Sequence, residues 1–166
     1  MPSNIELKVK IPSFRKYEKV LKTLELKPKE VLNQKDVYYE IKKGLLKLRI
    51  ENGKNSIIEY SRNETSKNRV SNYNVLSLND DTAEKFLGRV FNIKAVVEKK
   101  RILYLYKNTR IHLDKVKKLG NFIELESVVV RDNKSAVKEF NEVIDLLNLD
   151  TEKQIRKSYK DLIIKK

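Results

Sequence analysis

Acidic and basic side chains of this chain share faces of segments whose alternating pattern predicts β-strands. Glu124 and Glu126 are separated by one residue, so both carboxylates point the same way from a strand. On the preceding predicted strand, Asp114 shares a face with Arg110 and His112. Carboxylate oxygens bind Mg²⁺ and Mn²⁺, whereas Arg and Lys neutralise phosphate oxygens. The combination predicts a site for a polyphosphate chelated by a divalent metal, although a Glu pair taken alone is also common on an ordinary protein surface.

The elements that must position these side chains are strands with one charged and one apolar face. Residues 4–11 alternate strictly between polar and apolar side chains, which is typical of a strand. Similar patterns predict eight strands in all, over residues 4–11, 31–41, 45–51, 56–62, 70–78, 95–106, 109–116 and 122–130. Helical spacing predicts helices that open at Pro12 and Ser13, follow 79–82, cover 134–148 and, in a shorter piece, lie near 152–164.

The predicted architecture is α+β, with an eight-stranded antiparallel β-barrel and helices packed on its outside. Amphipathic helices must cover apolar faces, so the charged faces would then meet inside a closed barrel with room for a small ligand. The alternative is a half-buried sheet whose charged faces look out at solvent. The residues expected to line the barrel are Glu6, Lys8, Lys10, Lys47, Arg49, Glu51, Arg62, Lys99, Arg101, Arg110, Asp114, Glu124 and Glu126.

The composition limits the kinds of partner and of catalytic or metal-binding site that the chain can have. The 166 residues include 37 Lys+Arg against 23 Asp+Glu, a formal net charge of +14, so the partner should be anionic. There is no Cys and one His, which excludes thiolate nucleophiles, cysteine-ligated metals and a site built from several histidines. No apolar run reaches the length of a spanning helix and no secretory h-region is present. We therefore expect a single domain over residues 1–166, a cytoplasmic location and no membrane partner.

Ordered motifs along the whole chain resemble the CYTH group of triphosphate tunnel metalloenzymes, named for class IV adenylyl cyclases and thiamine triphosphatases. Asn4-Ile5-Glu6-Leu7-Lys8 resembles the Glu-x-Glu-x-Lys signature of that family, with Asn4 in place of the first carboxylate. The other matching segments are 46–49, 58–62, 71–73, 99–101, 110–114, 119–126 and the terminal Ser158-Tyr159-Lys160-Asp161-Leu162.

The resemblance implies an eight-stranded tunnel that binds a triphosphate together with Mg²⁺ or Mn²⁺. It implies catalytic roles for Glu6, Glu124 and Glu126. Carried over by position, Glu6, Asp114, Glu124 and Glu126 would lie at the metal, and Lys8, Lys47, Arg49, Arg62, Lys99, Arg101 and Arg110 would hold the phosphates. Loss of the carboxylate at Asn4 removes one negative charge from the expected metal site.

Two reactions suit such a site. A triphosphatase would hydrolyse inorganic tripolyphosphate or an organic or nucleoside triphosphate, and a class IV adenylyl cyclase would convert ATP to cyclic AMP and pyrophosphate. Hydrolysis makes fewer structural demands on the protein and is therefore the preferred prediction. The expected partner is a triphosphate-bearing small molecule such as tripolyphosphate, ATP or thiamine triphosphate, and a homodimer is left open. A non-catalytic module for polyphosphate or RNA 5′-triphosphate ends is the third alternative, although interleaved carboxylates argue against nucleic acid.

Overall fold

The computed structural model describes residues 4–62, 71–128 and 133–165, and the side chains of Asn4, residues 61–62, residues 71–73 and Asn133 lie outside that description. Within the described residues, the chain forms eight β-strands and four α-helices. The strands are β1 (Asn4–Ile11), β2 (Glu30–Tyr39), β3 (Leu45–Glu51), β4 (Lys54–Arg62), β5 (Ser71–Leu78), β6 (Ile93–Tyr106), β7 (Thr109–Val116) and β8 (Gly120–Val128). The helices are α1 (Arg15–Thr23), α2 (Ala83–Val90), α3 (Asn133–Leu147) and α4 (Tyr159–Ile164), with a short 3₁₀ helix at Thr151–Lys153.

The strands form one sheet in the order β1-β8-β7-β6-β2-β3-β4-β5. Every strand pair whose register is described runs antiparallel. The predicted α+β fold with an eight-stranded antiparallel sheet is therefore confirmed. Residues 70, 129 and 130, which the sequence pattern placed in strands, lie outside the described residues.

The chain divides into two compact units. Unit 1 comprises Met1–Val31 and Lys100–Lys157, and unit 2 comprises Leu32–Lys99 and Ser158–Lys166. The expectation of a single domain over residues 1–166 stays a prediction. Among the described helices, we find none that combines the length and the apolar character needed to cross a bilayer.

In unit 1, the apolar faces of the strands pack against two helices. Leu7 of β1 and Leu125 of β8 are buried neighbours in register. They join a core that includes Leu21 of α1 and Val143 of α3. Burial of each such side chain contributes about 1.5–3 kcal/mol. Because strand side chains alternate, this packing commits the polar residues of β1 and β8 to the opposite face.

In unit 2, the apolar side chains of the strands pack against helix α2. Val37 of β2 and Leu48 of β3 are opposite one another and fully buried. They pack in a core with Ala83 and Leu87 of α2. The β3–β4 hairpin turns at residues 52–53, where both residues have the positive φ that a tight two-residue turn requires.

The predicted helix near 152–164 is wrong as a continuous element. Its first part is the 3₁₀ turn, after which Gln154 forms an isolated bridge with Val9 and the Ile155 N–H donates to the Lys8 carbonyl at 2.8 Å. This extended segment uses its backbone groups on β1, so no helix can run through it. Helix α4 begins afresh at the Ser158 cap, where Ser158 and Asp161 form a reciprocal capping box.

Candidate active site

One face of the unit 1 sheet carries charged residues in two neighbouring rows, which we call the carboxylate face. In the first row, Glu6 of β1 lies opposite Glu126 of β8, which lies opposite Arg110 of β7. In the second row, the residues in the same order are Lys8, Glu124 and His112. Directly opposed residues have Cβ atoms about 4.5–5.5 Å apart. The register therefore brings together side chains that lie more than a hundred residues apart in the sequence.

Arg101 of β6 joins this face through a buried ion pair. Its Nε donates to Asp114 Oδ1 at 2.7 Å and its Nη2 donates to Asp114 Oδ2 at 2.6 Å. The same Nη2 lies 3.4 Å from Glu124 Oε2. The Asp114 side chain is completely buried. Both Asp114 oxygens thus accept hydrogen bonds from Arg101, and this two-point contact fixes the plane of the guanidinium.

The carboxylates nearer the surface have looser cationic partners. Lys8 Nζ lies 3.9 Å from Glu124 Oε2 and also donates to the Lys157 carbonyl at 3.2 Å. Arg110 Nη1 lies 3.4 Å from Glu126 Oε2. About one fifth of each Glu side chain remains exposed, 20% for Glu124 and 18% for Glu126. These oxygens are therefore accessible to a ligand, unlike those of Asp114.

The carboxylate face carries oxygen donors of the kind that hard divalent cations prefer. Among the described residues, no group of three Asp, Glu or His side chains stands ready to enclose a metal. Mg²⁺ does not need such a cage, because it is usually bound through one or two carboxylates, substrate phosphates and water. Glu6 and Glu126, which are register partners, and the neighbouring Glu124 supply donors of this type.

Unit 2 contains a second charged group, the Asp36 cluster, formed by Asp36, Tyr38, Lys47, Arg49 and Tyr60. Asp36 of β2 lies opposite Arg49 of β3, and Tyr38 lies opposite Lys47. Asp36 Oδ1 accepts from Arg49 Nε at 2.8 Å, while Oδ2 accepts from Arg49 Nη2 at 2.7 Å and from Lys47 Nζ at 2.8 Å. Lys47 Nζ also lies 5.4 Å from the Tyr38 ring centroid and 5.9 Å from that of Tyr60. One carboxylate therefore orients two cations.

Titration in this cluster reflects its burial and its charges. Burial alone would raise the pKa of Asp36, but the hydrogen bond from Arg49 and the charges of Lys47, Arg49 and Lys99 hold it well below its usual range. Burial and the nearby Asp36 carboxylate raise the pKa of Tyr38 well above its usual value. Asp36 is consequently ionised and Tyr38 neutral at physiological pH, so the cluster keeps a surplus of positive charge.

Two further lysines of unit 2 lie beside tyrosine rings. Lys99 Nζ is 4.9 Å from the Tyr159 ring centroid, and Lys160 Nζ is 5.9 Å from that of Tyr38. Lys160 is buried, with 9% of the residue exposed. An ammonium over an aromatic face is attracted by the ring quadrupole, which offsets part of the cost of its burial.

The structure thus groups the predicted site residues into two sets. Glu6, Lys8, Arg101, Arg110, Asp114, Glu124 and Glu126 belong to unit 1, and Lys47, Arg49 and Lys99 belong to unit 2. The predicted Arg62 side chain lies outside the described residues. Asp36 and Lys160 were not among the predicted site residues. Their signals were the position of Asp36 on an alternating strand and the place of Lys160 in the terminal motif.

Comparison with known proteins identifies the family. A family model described as CYTH domain matches residues 3–159. A protein of Methanocaldococcus jannaschii that carries the name "Putative adenylate cyclase" is 27% identical over 170 residues, which cover 95% of this chain and 97% of the relative. The PH1012 protein of Pyrococcus horikoshii has a structure with a TM-score of 0.81 at 26% identity, covering 96% of this chain and 98% of its own.

A protein with much lower sequence identity has the same fold. A Hippeastrum protein, whose structure is titled as an adenylyl cyclase with a dominant triphosphatase activity, matches with a TM-score of 0.74 at 12% identity. The match covers 99% of this chain and 95% of the Hippeastrum chain, and it shows likeness of fold alone. Because the family model spans nearly the whole sequence, this chain belongs to the CYTH domain family.

Proposed function

We propose that this protein is a divalent-metal-dependent enzyme that processes a triphosphate, with hydrolysis as the preferred reaction. The observation that carries the proposal is the Asp36 cluster. Lys47, Arg49 and Lys99 all act on one buried carboxylate, so positive charge exceeds negative charge where solvent is largely excluded. A surplus of cations in such a place is costly unless an anion binds there. A polyphosphate supplies several negative charges that can neutralise this surplus.

Within this proposal, the Asp36 cluster binds and orients phosphate groups. Asp36 holds the Arg49 guanidinium by its Nε–Nη2 edge, which fixes the plane of this cation. Lys47 is constrained by the same carboxylate and by two tyrosine rings. Cations that are already oriented lose little conformational entropy when the ligand binds, so they favour tight and specific binding.

The carboxylate face would bind the divalent metal. Glu6 and Glu126, with Glu124 beside them, would hold Mg²⁺ or Mn²⁺. The metal would neutralise charge on the triphosphate and lower the pKa of a bound water. Arg110, which pairs with Glu126, would contact a phosphate group bound to that metal, while Arg101 is kept in place by Asp114. The chain itself need not supply a covalent nucleophile, because phosphoryl transfer depends mainly on positioning and charge stabilisation.

Cyclisation is the second candidate, and the name of the Methanocaldococcus relative favours it. In hydrolysis, a water oxygen attacks the terminal phosphorus and loses its proton to solvent, while the bond to the bridging oxygen breaks, so that phosphate is released and the shortened phosphate chain leaves with the bridging oxygen. In cyclisation, the ribose 3′-oxygen attacks the α-phosphorus of ATP, loses its proton, and pyrophosphate leaves. Both reactions use the same cations, so the products distinguish them.

The decisive experiment incubates the purified protein with tripolyphosphate, thiamine triphosphate and ATP in the presence of Mg²⁺ or Mn²⁺. Phosphate, pyrophosphate and cyclic AMP are detected separately. We expect phosphate release that stops in EDTA and in the Glu124→Gln variant, but continues in the Glu30→Gln variant, whose side chain is exposed at the start of β2. Absence of all three products, together with RNA binding in EDTA that weakens steeply with salt, would instead show a non-catalytic binding module.

A further inference from the structure

We propose that Gln34 and Glu51 form a site for a divalent cation, Mg²⁺ or Mn²⁺, made of different residues from the carboxylate face. Gln34 of β2 lies opposite Glu51 of β3, and its Nε2 donates a hydrogen bond to Glu51 Oε2. Both residues belong to unit 2, and the proposed function gives neither of them a role. Binding of the cation at this Gln34–Glu51 pair does not depend on the proposed function, whereas its contact with a phosphate does.

The amide oxygen of Gln34 is a buried acceptor. Only 5% of the residue is exposed, and within the described part of the chain its Oε1 accepts no hydrogen bond. The amide nitrogen is held by Glu51, so the amide cannot turn towards another donor without losing that bond. A buried oxygen without a partner is costly, and such atoms in native proteins are usually satisfied by water, an ion or a ligand. The orientation of Gln34 therefore presents an acceptor to a group from outside the chain.

Glu51 adds a negative charge that no cationic side chain neutralises. Among the described residues, its one hydrogen-bonding partner is the Gln34 amide, and it forms no ion pair. This is unusual in a chain with a net charge of +14, where the other carboxylates on the polar strand faces pair with Lys or Arg, namely Asp36, Asp114, Glu124 and Glu126. A water or hydroxyl group would satisfy the Gln34 oxygen alone, whereas a cation also neutralises Glu51.

The donor atoms indicate which cation fits. Gln34 Oε1 and Nε2 are attached to the same carbon, so Oε1 lies beside the Glu51 carboxylate to which Nε2 donates. Amide and carboxylate oxygens are ligands of hard divalent cations. Ca²⁺ takes six to eight such oxygens, while Mg²⁺ is usually bound through one or two carboxylates and keeps several waters. Two protein oxygens therefore favour Mg²⁺ or Mn²⁺ over Ca²⁺.

Contacts on both sides hold the pair in place. Towards the hairpin turn, the Asn33 N–H donates to Asn52 Oδ1 at 2.9 Å, and the Asn52 N–H donates to the Asn33 carbonyl at 3.0 Å. In the other direction, Asp36 and Arg49 are joined by two hydrogen bonds. The register of β2 and β3 is thus fixed around the pair, and ligands that are already in position lose little conformational entropy when a cation binds.

The neighbouring row of the sheet gives the cation a role in the proposed reaction. Asp36 and Arg49 lie two positions along β2 and β3 from the pair, which corresponds to about 6.5–7 Å. A phosphate bound at Arg49 would be near enough to supply a further oxygen ligand. The cation would then offset charge on the phosphate chain within unit 2.

Equilibrium dialysis against Mn²⁺ without any triphosphate tests the site, because Mn²⁺ prefers the same oxygen ligands as Mg²⁺. We expect the Kd of one bound ion to rise by roughly tenfold or more in Glu51→Gln and in Gln34→Leu, since loss of even a group that supports a metal ligand has an effect of this size. Circular dichroism shows whether both variants fold. Glu59→Gln makes the same chemical change at an exposed residue of β4 and should bind Mn²⁺ as the unmodified protein does.

A third variant, Gln34→Glu, distinguishes a cation ligand from a structural hydrogen bond. It replaces the amide oxygen by a carboxylate, so Mn²⁺ should bind more tightly. A purely structural pair would lose its hydrogen bond and gain repulsion between two carboxylates. Paramagnetic broadening of amide NMR signals locates the ion, and we expect Mn²⁺ to broaden the signals of residues 34 and 51 in the unmodified protein.

The outcomes separate this inference from the proposed function. Unchanged Mn²⁺ binding in both Glu51→Gln and Gln34→Leu, weaker binding in Gln34→Glu, or broadening confined to residues of the carboxylate face would overturn the inference, and the proposed function would stand. Mn²⁺ bound at the pair in a protein that forms no product from any triphosphate would refute the proposed function and leave this site in place.

Discussion

Replacement of Asp36 by Asn tests how far one buried carboxylate stabilises the cations around it. The substitution preserves the shape of the side chain and removes its charge. Only 4% of the Asp36 side chain is exposed, against 10% for Lys47 and 23% for Arg49. The variant would thus leave two largely buried cations without the carboxylate that accepts three of their hydrogen bonds.

The expected loss follows from these exposures. Removal of one partner from a buried ion pair costs about 3–5 kcal/mol. Arg49 retains some access to water and can be partly rehydrated, so the lower end of that range applies. We expect the free energy of unfolding at pH 7 to fall by about 3 kcal/mol. The exposed Asp81→Asn substitution on the same unit makes the same chemical change and should shift stability by less than about 0.5 kcal/mol.

The assay is urea denaturation at pH 7, 5 and 3. The direction in which the stability difference changes with pH tests the reasoning. The pKa of Asp36 is depressed in the folded protein, so its stabilising effect is complete above the unfolded value near 3.8 and is lost as pH falls towards the folded pKa. The difference in unfolding free energy between the unmodified protein and the Asp36→Asn variant should therefore have its full value at pH 7 and pH 5 and be smaller at pH 3. A variant as stable as the unmodified protein, or a gap that widens towards pH 3, would refute this reasoning.

Three further predictions address the site and the last helix. Glu126→Gln should abolish metal-dependent phosphate release while circular dichroism stays unchanged; full activity would remove Glu126 from the site. Arg49→Ala should raise the KM for tripolyphosphate by roughly tenfold or more, because a charge-assisted contact is lost, and an unchanged KM would contradict this. Ser158→Ala removes the cap that pairs with Asp161 and should lower the unfolding free energy by about 1 kcal/mol, equivalent to about 2–4 °C in Tm. A calorimetric Tm equal to that of the unmodified protein would show that the capping box does not stabilise the chain.

The strand pattern and the family motifs could be identified from the sequence alone. A period of two residues in 4–11 and 45–51 reports which side chains share a face, because a strand has only two faces. That information is local, and it was enough to predict β1, β3 and the eight-stranded antiparallel sheet. The ordered motifs added the CYTH family, which the family model over residues 3–159 confirms.

Local pattern was insufficient where backbone groups found distant partners. The segment near 152–164 has helical spacing, yet residues 154 and 155 bond to β1 and interrupt the helix. Capping at Ser158 then restarts it. Helical periodicity cannot register such an interruption, because the competing hydrogen bonds come from residues almost 150 positions away.

Partner choice among the charged residues was decided only by the tertiary structure. Asp114 and Glu126 both belong to alternating strands and were both predicted at the metal, yet Arg101 holds Asp114 by both oxygens whereas Glu126 keeps a partly exposed carboxylate. Asp36, which was not among the predicted site residues, orients Lys47 and Arg49. Alternation assigns a side chain to a face, but its neighbours on that face depend on which strands lie side by side and in what register, and those are properties of the folded chain.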